Sequence, residues 1–285
     1  MVSTAHPLVP NPLMEETSAP LWFAPHVDAA SLVKLGFRFG RSGVHQSKTM
    51  MFRELGAMLQ AAPDPGSVDV ADLILHQNVL QKGTGSARRL ALDRLNGLYG
   101  LASRAPIGRA LARLWQRADG GRPLLALLCA LAREPPLRDT ATAVLGATFG
   151  ADVRWPDFSS RFEALHPGRY SAKMLKSMSQ NCASTWTQSG HLQGRVKKRR
   201  MRATPSPAAA AYAALLGELA GFGGATLLAS PWIRILDSTE IETLALLRQA
   251  EGEGLVRVRN GGGVTEIRAR DAMASAMEIR ELGNR

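Results

Sequence analysis

The chain has 285 residues, 45% of them hydrophobic and 21% charged, and its formal net charge at pH 7 is +11. That length and apolar content suffice for one large or two small domains with buried cores. The longest apolar run is far shorter than the roughly 20 residues of a membrane span, and the N-terminus lacks a basic start followed by an apolar stretch. The two cysteines form neither a metal set nor a disulfide framework. We therefore expect a cytoplasmic protein.

The positive charge is concentrated in three stretches of the chain. No acidic residue occurs between Glu163 and Glu218, where nine lysines and arginines lie. Residues 29–53 contribute five more without an acid, and residues 82–122 hold nine basic against two acidic residues. These stretches together carry +21, so the rest of the chain carries −10. Segregation of this kind is expected of a surface that meets a polyanion.

The first helical pattern begins after a proline-rich start. Residues 1–27 show little periodicity, which is typical of an extended arm. The segment 40–49 carries Lys48 and Thr49 but lacks the glycines that a phosphate-binding loop needs before such a pair. We read it as a polar loop that leads into a helix over 46–60, whose methionines and leucines belong to the core.

The segment 69–99 is the most distinctive part of the sequence. It predicts one helix, a polar turn over about 76–85 and a second helix that starts with an arginine pair. The apolar face predicted for the second helix consists of Ala87, Leu90, Ala91, Leu95 and Leu98. Two helices joined in this way indicate a helix-turn-helix that presents its second helix to a nucleic acid. An ordinary helical hairpin with a polar turn is the alternative. The candidate contact residues are Lys82, Thr84, Ser86, Arg88 and Arg89.

Helical patterns continue through the middle of the chain and end in a basic ribbon. Apolar periodicity predicts helices over 107–116, 124–132, 138–145, 159–165 and 171–188. The last of these should be capped by Ser171, with an apolar face of Leu175, Met178, Cys182 and Trp186. The ribbon 194–207 contains few apolar residues, so it is either a charged hairpin like the wing of a winged helix or a flexible linker. The candidate phosphate contacts are Arg195, Lys197, Lys198, Arg199, Arg200 and Arg202, flanked by Lys173, Lys176, Arg41 and Lys48.

The C-terminal region combines helices with a hairpin. An alanine-rich helix over 208–220 leads to a helix that ends near residue 250, and alternating residues on both sides of 260–263 predict a β-hairpin. A helix followed by a hairpin suggests a winged-helix-like module, yet residues 234–285 carry a net charge of −1. We therefore expect this module to serve packing or a protein partner rather than the main phosphate contacts.

These patterns together predict a mainly α protein, with helix-turn-helix or winged-helix modules around a helical core and small β-hairpins. Four units follow from them. They are an N-terminal arm (1–27), a helix-turn-helix domain (28–103), a helical domain (104–220) with a basic arm (195–202), and the C-terminal module (221–285).

The sequence shows no catalytic or metal-binding pattern. The six histidines are scattered, and none stands at a metal-ligand spacing from Cys, Asp or Glu. Asp72 and His76 are four residues apart on one helix, where a solvated pair is a far better interpretation than an acid–base dyad. We therefore expect a protein that is not an enzyme and uses neither a metal nor a cofactor.

The segment 76–101 (HQNVLQKGTGSARRLALDRLNGLYGL) resembles the N-terminal signature of the BrxA family of BREX phage-defence proteins. A looser similarity covers 171 to about 215, so the likeness extends over about two thirds of the chain; the N-terminal arm and the residues after 221 depart from the family. The resemblance implies a mainly helical accessory protein that binds double-stranded DNA beside larger methyltransferase and ATPase components. The matching residues are Asn78, Val79, Leu80, Gln81, Lys82 and Thr84, then Ser86, Arg88, Arg89 and Leu95.

We expect largely sequence-independent binding to the phosphate backbone of double-stranded DNA, because clusters of lysine and arginine supply affinity without base readout. If about six to eight phosphates are engaged, the slope of log K against log salt should be about −5 to −7. The alternatives are a structural adaptor that docks on other phage-defence subunits and an RNA-binding protein. RNA is disfavoured because aromatic residues make up only 6% of the chain and none interrupts the basic ribbon.

Overall fold

The protein is mainly helical, as the periodicity predicts, and its strands form two small antiparallel sheets. The structure is a computed structural model that describes residues 21–40, 43–118, 120–261 and 264–283. Most of the predicted N-terminal arm and one candidate contact, Arg41, lie outside the described residues. No helix within the described ranges is both long and apolar enough to cross a membrane.

The first part of the chain folds into short helices with polar caps. The carboxylates of Asp28 and Asp69 and the hydroxyl of Thr84 accept backbone N–H groups at the starts of three of them. Methionines and leucines before and within the second helix are buried, as predicted. The bounds are α1 Ala29–Leu35, a 3₁₀ turn Val44–Gln46, α2 Phe52–Ala61, α3 Val70–Leu75, α4 Gly85–Tyr99 and α5 Pro106–Trp115.

Helices α3 and α4 are the pair predicted around the polar turn. They pack against each other, but the segment 76–84 between them is longer than the turn of three or four residues found in a helix-turn-helix. The Asn78 side chain closes this segment, because its Oδ1 accepts the Lys82 N–H at 2.8 Å and its Nδ2 donates to the Lys82 carbonyl at 3.1 Å. The polar turn is therefore held by its own asparagine.

Two helices that are apolar on all sides form the centre of the molecule, α6 (Arg122–Arg133) and α11 (Pro207–Leu219). Tyr212 on α11 donates its hydroxyl to the Ile107 carbonyl at 2.8 Å. Arg133 at the end of α6 donates its Nε to the Gly97 carbonyl at 2.9 Å, across the predicted boundary at residue 103. Two short helices follow α6, namely α7 Pro135–Asp139 and α8 Ala141–Leu145.

The next part of the chain forms a three-stranded sheet, and a helix pair lies between its first and second strands in sequence. Its strands are all antiparallel and lie in the order β1-β3-β2. Val153 lies opposite Lys198, and Gln193 lies opposite Arg199. The start of the basic ribbon is therefore a hairpin rather than a flexible linker. The elements are β1 Asp152–Val153, α9 Trp155–Leu165, α10 Ala172–Gln188, β2 Leu192–Gln193 and β3 Lys198–Arg200.

The C-terminal region contains the predicted hairpin, formed by β4 and β5. Thr239 and Glu242 make a reciprocal capping box before the helix that precedes it. The indole N–H of Trp232 donates to the Trp22 carbonyl at 2.9 Å, so this region packs on the first described residues. The elements are α12 Ala225–Leu228, α13 Pro231–Arg234, α14 Glu240–Gly252, β4 Arg257–Gly261, β5 Val264–Arg268, α15 Arg270–Ala276 and a 3₁₀ turn Arg280–Leu282.

Candidate nucleic-acid interface

The unit formed by α10 and the β2–β3 hairpin, called here the α10–hairpin unit, has exposed cations on its outer surface. Lys173 and Lys176 are exposed on the first turns of α10, whose opposite face is buried. Arg195 and Lys197 are exposed at the tip of the hairpin, on either side of Val196, which is 91% exposed. Neither α10 nor the two strands contain an aspartate or glutamate. The unit therefore contributes only positive charge.

Lys198 and Arg199 of strand β3 have different roles. The Lys198 ammonium folds back and donates to Thr187 Oγ1 at 2.8 Å and to the Gly194 carbonyl at 3.2 Å. Partial burial lowers the pKa of Lys198 below its ordinary value. Arg199 is exposed, and its Nε lies 3.9 Å from Asp152 Oδ1, a loose surface pair that contributes little. Lys198 therefore steadies the hairpin, whereas Arg199 stays accessible to a ligand.

Arg200, predicted as a phosphate contact, is instead buried and part of the fold. It is 5% exposed, and its guanidinium donates to both oxygens of Asp237, at 2.8 and 2.7 Å, and to the Val144 carbonyl at 2.8 Å. Arg202 donates to Glu242 through Nη2 and to the Asp237 carbonyl through Nε. We therefore remove Arg200 from the contact set and treat Arg202 as largely neutralised. Both acidic partners come from outside the acid-free stretch, so the sequence pattern did not reveal them.

The α3–α4 pair uses most of its candidate contact residues to stabilise its own structure. Lys82 Nζ lies 3.0 Å from Glu54 Oε1 on α2. Thr84 caps α4 by accepting a first-turn N–H at 3.1 Å. The guanidinium of Arg88 is half-buried and donates through Nη1 to the Leu75 carbonyl, the last of α3, at 2.6 Å. These three side chains therefore hold the turn and offer little to a phosphate.

Three members of this predicted set are exposed, namely the capping Thr84, Ser86 and Arg89. Ser86 and Arg89 share the outer side of α4 with Leu90, which is 46% exposed although its spacing placed it on the apolar face. The buried face is formed instead by residues Ala91, Leu95, Leu98 and Tyr99. The start of α4 therefore presents one exposed cation.

The two candidate regions are connected by the 3₁₀ turn and the residues that follow it. Arg94 on α4 donates through Nη2 to Ser47 Oγ at 3.3 Å. Ser177 on α10 donates its hydroxyl to the Gln46 carbonyl at 3.3 Å. Lys48 follows directly and is exposed. These bonds join α4 and α10 through one short segment, and Lys48 lies beside that junction.

A buried polar network anchors this connecting segment. The ring of His45 has no exposed surface and meets Glu134 Oε2 through Nδ1 at 3.1 Å and Thr185 Oγ1 through Nε2 at 2.9 Å. Burial acts to raise the pKa of Glu134, but the hydrogen bonds and electrostatic attraction of His45, together with a hydrogen bond from the Val44 backbone, outweigh that effect and hold the pKa below its ordinary value. Because Glu134 ends α6 and Thr185 belongs to α10, the network ties the 3₁₀ turn to both helices.

A second buried histidine stands at the base of the hairpin. His191 meets Ser189 Oγ through Nδ1 and the Ile235 carbonyl through Nε2, both at 2.9 Å. Its ring packs edge-to-face on Trp186 with 4.9 Å between centroids. Burial lowers the pKa of His191 to about 4, although the carboxylate of Asp237 acts in the opposite direction. The imidazole is therefore neutral at neutral pH and serves as a structural hydrogen-bonding group.

The sequence interpretation missed one aromatic residue beside the exposed lysines. Trp155, the first residue of α9, is 39% exposed, and its ring centroid lies 5.8 Å from Lys176 Nζ. A cation–π contact of this kind orients the lysine without neutralising it. A single aromatic residue at the start of a helix is not part of a periodic pattern, so the sequence did not indicate it. The packing of α9 against α10 brings Trp155 and Lys176 together.

Within the described residues, no group of three histidine, cysteine, aspartate or glutamate side chains is placed to hold a metal ion. No protein-family model matches the chain, and no curated protein matches it at a significant level.

Proposed function

We propose that the protein binds double-stranded DNA through the α10–hairpin unit and acts, without catalysing a reaction, as an accessory protein of a bacterial phage-defence system of the BREX type. The observation that carries this proposal is a set of exposed cations on one unit that contains no acidic residue. Such side chains attract phosphates whatever the base sequence. The similarity of the segment 76–101 to the BrxA signature supports the assignment to phage defence.

The order of the elements favours a winged-helix interpretation of this unit. A strand, two helices and a hairpin follow α7 and α8, and the sheet order places β1 beside the second strand of the hairpin. In helix-turn-helix proteins the second helix of the pair enters the major groove. In this proposal α10 lies in that groove, led by Lys173 and Lys176. The hairpin carries Arg195 and Lys197 to the adjacent backbone.

Fewer cations can contact a phosphate than the sequence predicts. Arg200 is buried, and Lys82, Lys198 and Arg202 bind other groups of the protein. If each member of the reduced set engages one phosphate, the slope of log K against log salt is about −5. The set consists of Lys48, Lys173, Lys176, Arg195, Lys197 and Arg199.

Fluorescence anisotropy of a labelled duplex, titrated at several salt concentrations, tests the proposal. We expect the R195A/K197A variant to lower the magnitude of the slope by about 2, because each lost contact removes about one released counterion. The matched control is K34A/R117A, which removes the same charge from exposed positions outside the unit. A slope near zero for the unmodified protein, or equal losses in both variants, would contradict the proposal.

The same assay separates DNA from RNA. Single-stranded RNA is normally recognised through stacking on aromatic side chains, and Trp155 is the aromatic residue described beside the exposed lysines. We expect the duplex to bind more tightly than single-stranded RNA of equal length. Tighter binding of the RNA, together with a loss of RNA affinity in a Trp155→Ala variant, would favour the RNA-binding alternative.

A protein adaptor is the second candidate function, and an exposed apolar side chain favours it. Ile241 on the first turn of α14 is 82% exposed, and Glu240 and Glu242 flank it. An apolar residue with an acidic rim suits a protein partner better than it suits DNA. Co-purification with another phage-defence subunit should survive nuclease and moderate salt, and should be lost in Ile241→Glu. A free monomer in the presence of those subunits would contradict this candidate.

A further inference from the structure

A cavity of about 620 Å³ lies between α8, α9 and α13. Its volume falls within the range of small-molecule sites, and none of the proposed DNA-contact residues lines it. Trp22 and Pro231 belong to its lining. The apolar part of its wall also includes Ala141, Ala143, Leu145, Ala147 and Val153, and the polar part is of similar extent.

The Arg161 side chain lies in the wall of this cavity, and one edge of its guanidinium lacks hydrogen-bond partners. Its Nε and Nη2 atoms have almost no accessible surface and no hydrogen-bond partner. These two N–H groups point the same way along one side of the guanidinium, and they are the pair that binds a carboxylate or phosphate through two parallel hydrogen bonds. A buried donor without a partner is destabilising, and more so when it is charged. The edge is therefore suited to an oxyanion, and a turn of its terminal torsions would present it to the cavity.

The other polar groups in the wall fit this interpretation. Thr142 Oγ1 is also buried without a partner, and it offers a further donor or acceptor. Asp157 lies four residues before Arg161 on α9, but its Oδ2 accepts the Arg154 N–H at 2.6 Å. Asp152 lies near Arg199 at 3.9 Å instead. Neither carboxylate in the wall therefore satisfies Arg161.

The formal charge of the lining limits the kind of anion. Arg161 and Arg234 oppose Asp152 and Asp157, so the lining is neutral before a ligand enters. A dianion would meet two nearby carboxylates, whereas a single negative charge can pair with Arg161 alone. The apolar wall suits an apolar body attached to that charge.

We propose that this cavity binds a small organic monoanion, with its oxyanion held side-on by Arg161 and its apolar body against the alanine-rich wall. No residue of the lining belongs to the proposed DNA-contact set, although the lining residue Asp152 lies 3.9 Å from Arg199 of that set. The proposal does not rest on the proposed DNA binding. Because α13 and the region of α8 and α9 both line it, a bound ligand would stabilise their contact.

Isothermal titration of the full chain with 2-naphthoate and with its neutral isostere 2-naphthamide tests this proposal. We expect the carboxylate to bind at least about tenfold more tightly than the amide, because only the carboxylate completes the bidentate pair. Arg161→Gln should remove that preference, and Arg161→Lys should restore it only in part, since lysine keeps the charge but not the fork. Arg53→Gln, which removes an exposed arginine on α2, is the matched control and should bind as the unmodified chain does.

Two further variants keep the test decisive if Arg161→Gln fails to fold. Thr142→Val removes the unpaired hydroxyl with little change of shape, and Ala147→Leu fills part of the cavity. Both should weaken 2-naphthoate binding about tenfold relative to the control. The absence of binding at about 1 mM, or equal affinity for carboxylate and amide, would overturn the proposal. A loss of duplex affinity in Arg161→Gln without a change in 2-naphthoate binding would also overturn it, since the guanidinium would then serve a DNA phosphate.

Discussion

The α10–hairpin unit and the α3–α4 pair both carry clusters of basic residues, yet the two regions use those residues differently. In the α10–hairpin unit, Lys173, Lys176, Arg195 and Lys197 are exposed on elements without an acid. In the α3–α4 pair, two of the cations bind groups of the protein. Lys82 forms an ion pair with Glu54, and Arg88 donates a hydrogen bond to the last carbonyl of α3. Only Arg89 of that predicted set stays exposed as a cation.

The difference shows that a run of basic residues in sequence is not yet a basic surface. A cation becomes a phosphate contact only when its side chain reaches solvent and no acid from another segment neutralises it. Strand β3 contains both cases in adjacent positions, because successive residues of a strand point to opposite faces. Arg199 faces solvent, and Arg200 faces the interior and Asp237.

The largest effect should come from the buried arginine of this adjacent pair. Arg200→Ala leaves Asp237 without its bidentate partner and the Val144 carbonyl without a donor, so we expect the free energy of unfolding to fall by roughly 3 kcal/mol or more. Arg199→Ala should change stability by less than about 0.5 kcal/mol, because its pair is exposed. Urea denaturation of both variants measures this difference. Similar losses in the two variants would show that Arg200 is not the structural residue of the strand.

The next largest effect should be on the pH dependence of the free energy of unfolding, through His191 at the base of the hairpin. Because the pKa of His191 is about 4 in the folded protein and higher when unfolded, the unfolded chain binds more protons between these values. Stability should therefore fall as the pH drops from about 6.5 to 4, by up to about 3 kcal/mol. His191→Gln should flatten the pH profile of the free energy of unfolding in that window. An unchanged profile in this variant would assign the pH dependence to other groups.

Duplex affinity should distinguish the two regions directly. The K173A/K176A variant removes two exposed cations from α10, and we expect the affinity for the duplex to fall about 30-fold. The slope of log K against log salt should become smaller in magnitude by about 2. The matched variant R89A/R94A removes two cations from α4, one of which bonds to Ser47, and should cost only a few-fold. Anisotropy titrations at several salt concentrations compare the affinities and the slopes of the two variants. A larger loss in the α4 variant would reverse the assignment of the contact surface.

The smallest predicted effect is on the internal bond of the α3–α4 pair. Arg88→Ala removes the donor to the Leu75 carbonyl, and we expect a loss of about 1–2 kcal/mol in the free energy of unfolding. Duplex affinity of the folded variant should stay within about twofold of the unmodified value, since this guanidinium faces the protein. Thermal denaturation and an anisotropy titration provide the two readouts. A loss of affinity with unchanged stability would return Arg88 to the contact surface.

Much of the helical framework could be predicted from local patterns. The spacing of Leu175, Met178, Cys182 and Trp186 predicted the packed face of α10, on which Leu175 is half-buried and the other three are buried. Ser171 is the cap of α10, as expected. The C-terminal hairpin also formed where alternation and the glycine run placed it. On α4 the pattern was slightly out of phase, because Leu90 satisfied the spacing but turned to solvent. Periodicity identifies a helix, whereas packing selects its buried face.

The amino-acid sequence by itself determined the mainly helical class, the hairpins and the concentration of basic residues between residues 163 and 218, because these depend on neighbours a few positions apart. Only the tertiary structure decided which of those cations are exposed. Asp237 and Glu242 lie more than thirty residues after the arginines that they bind, and Glu54 lies 28 residues before Lys82. Charges interact through space rather than along the chain, so the pairing that removes a cation from the surface follows from the fold alone.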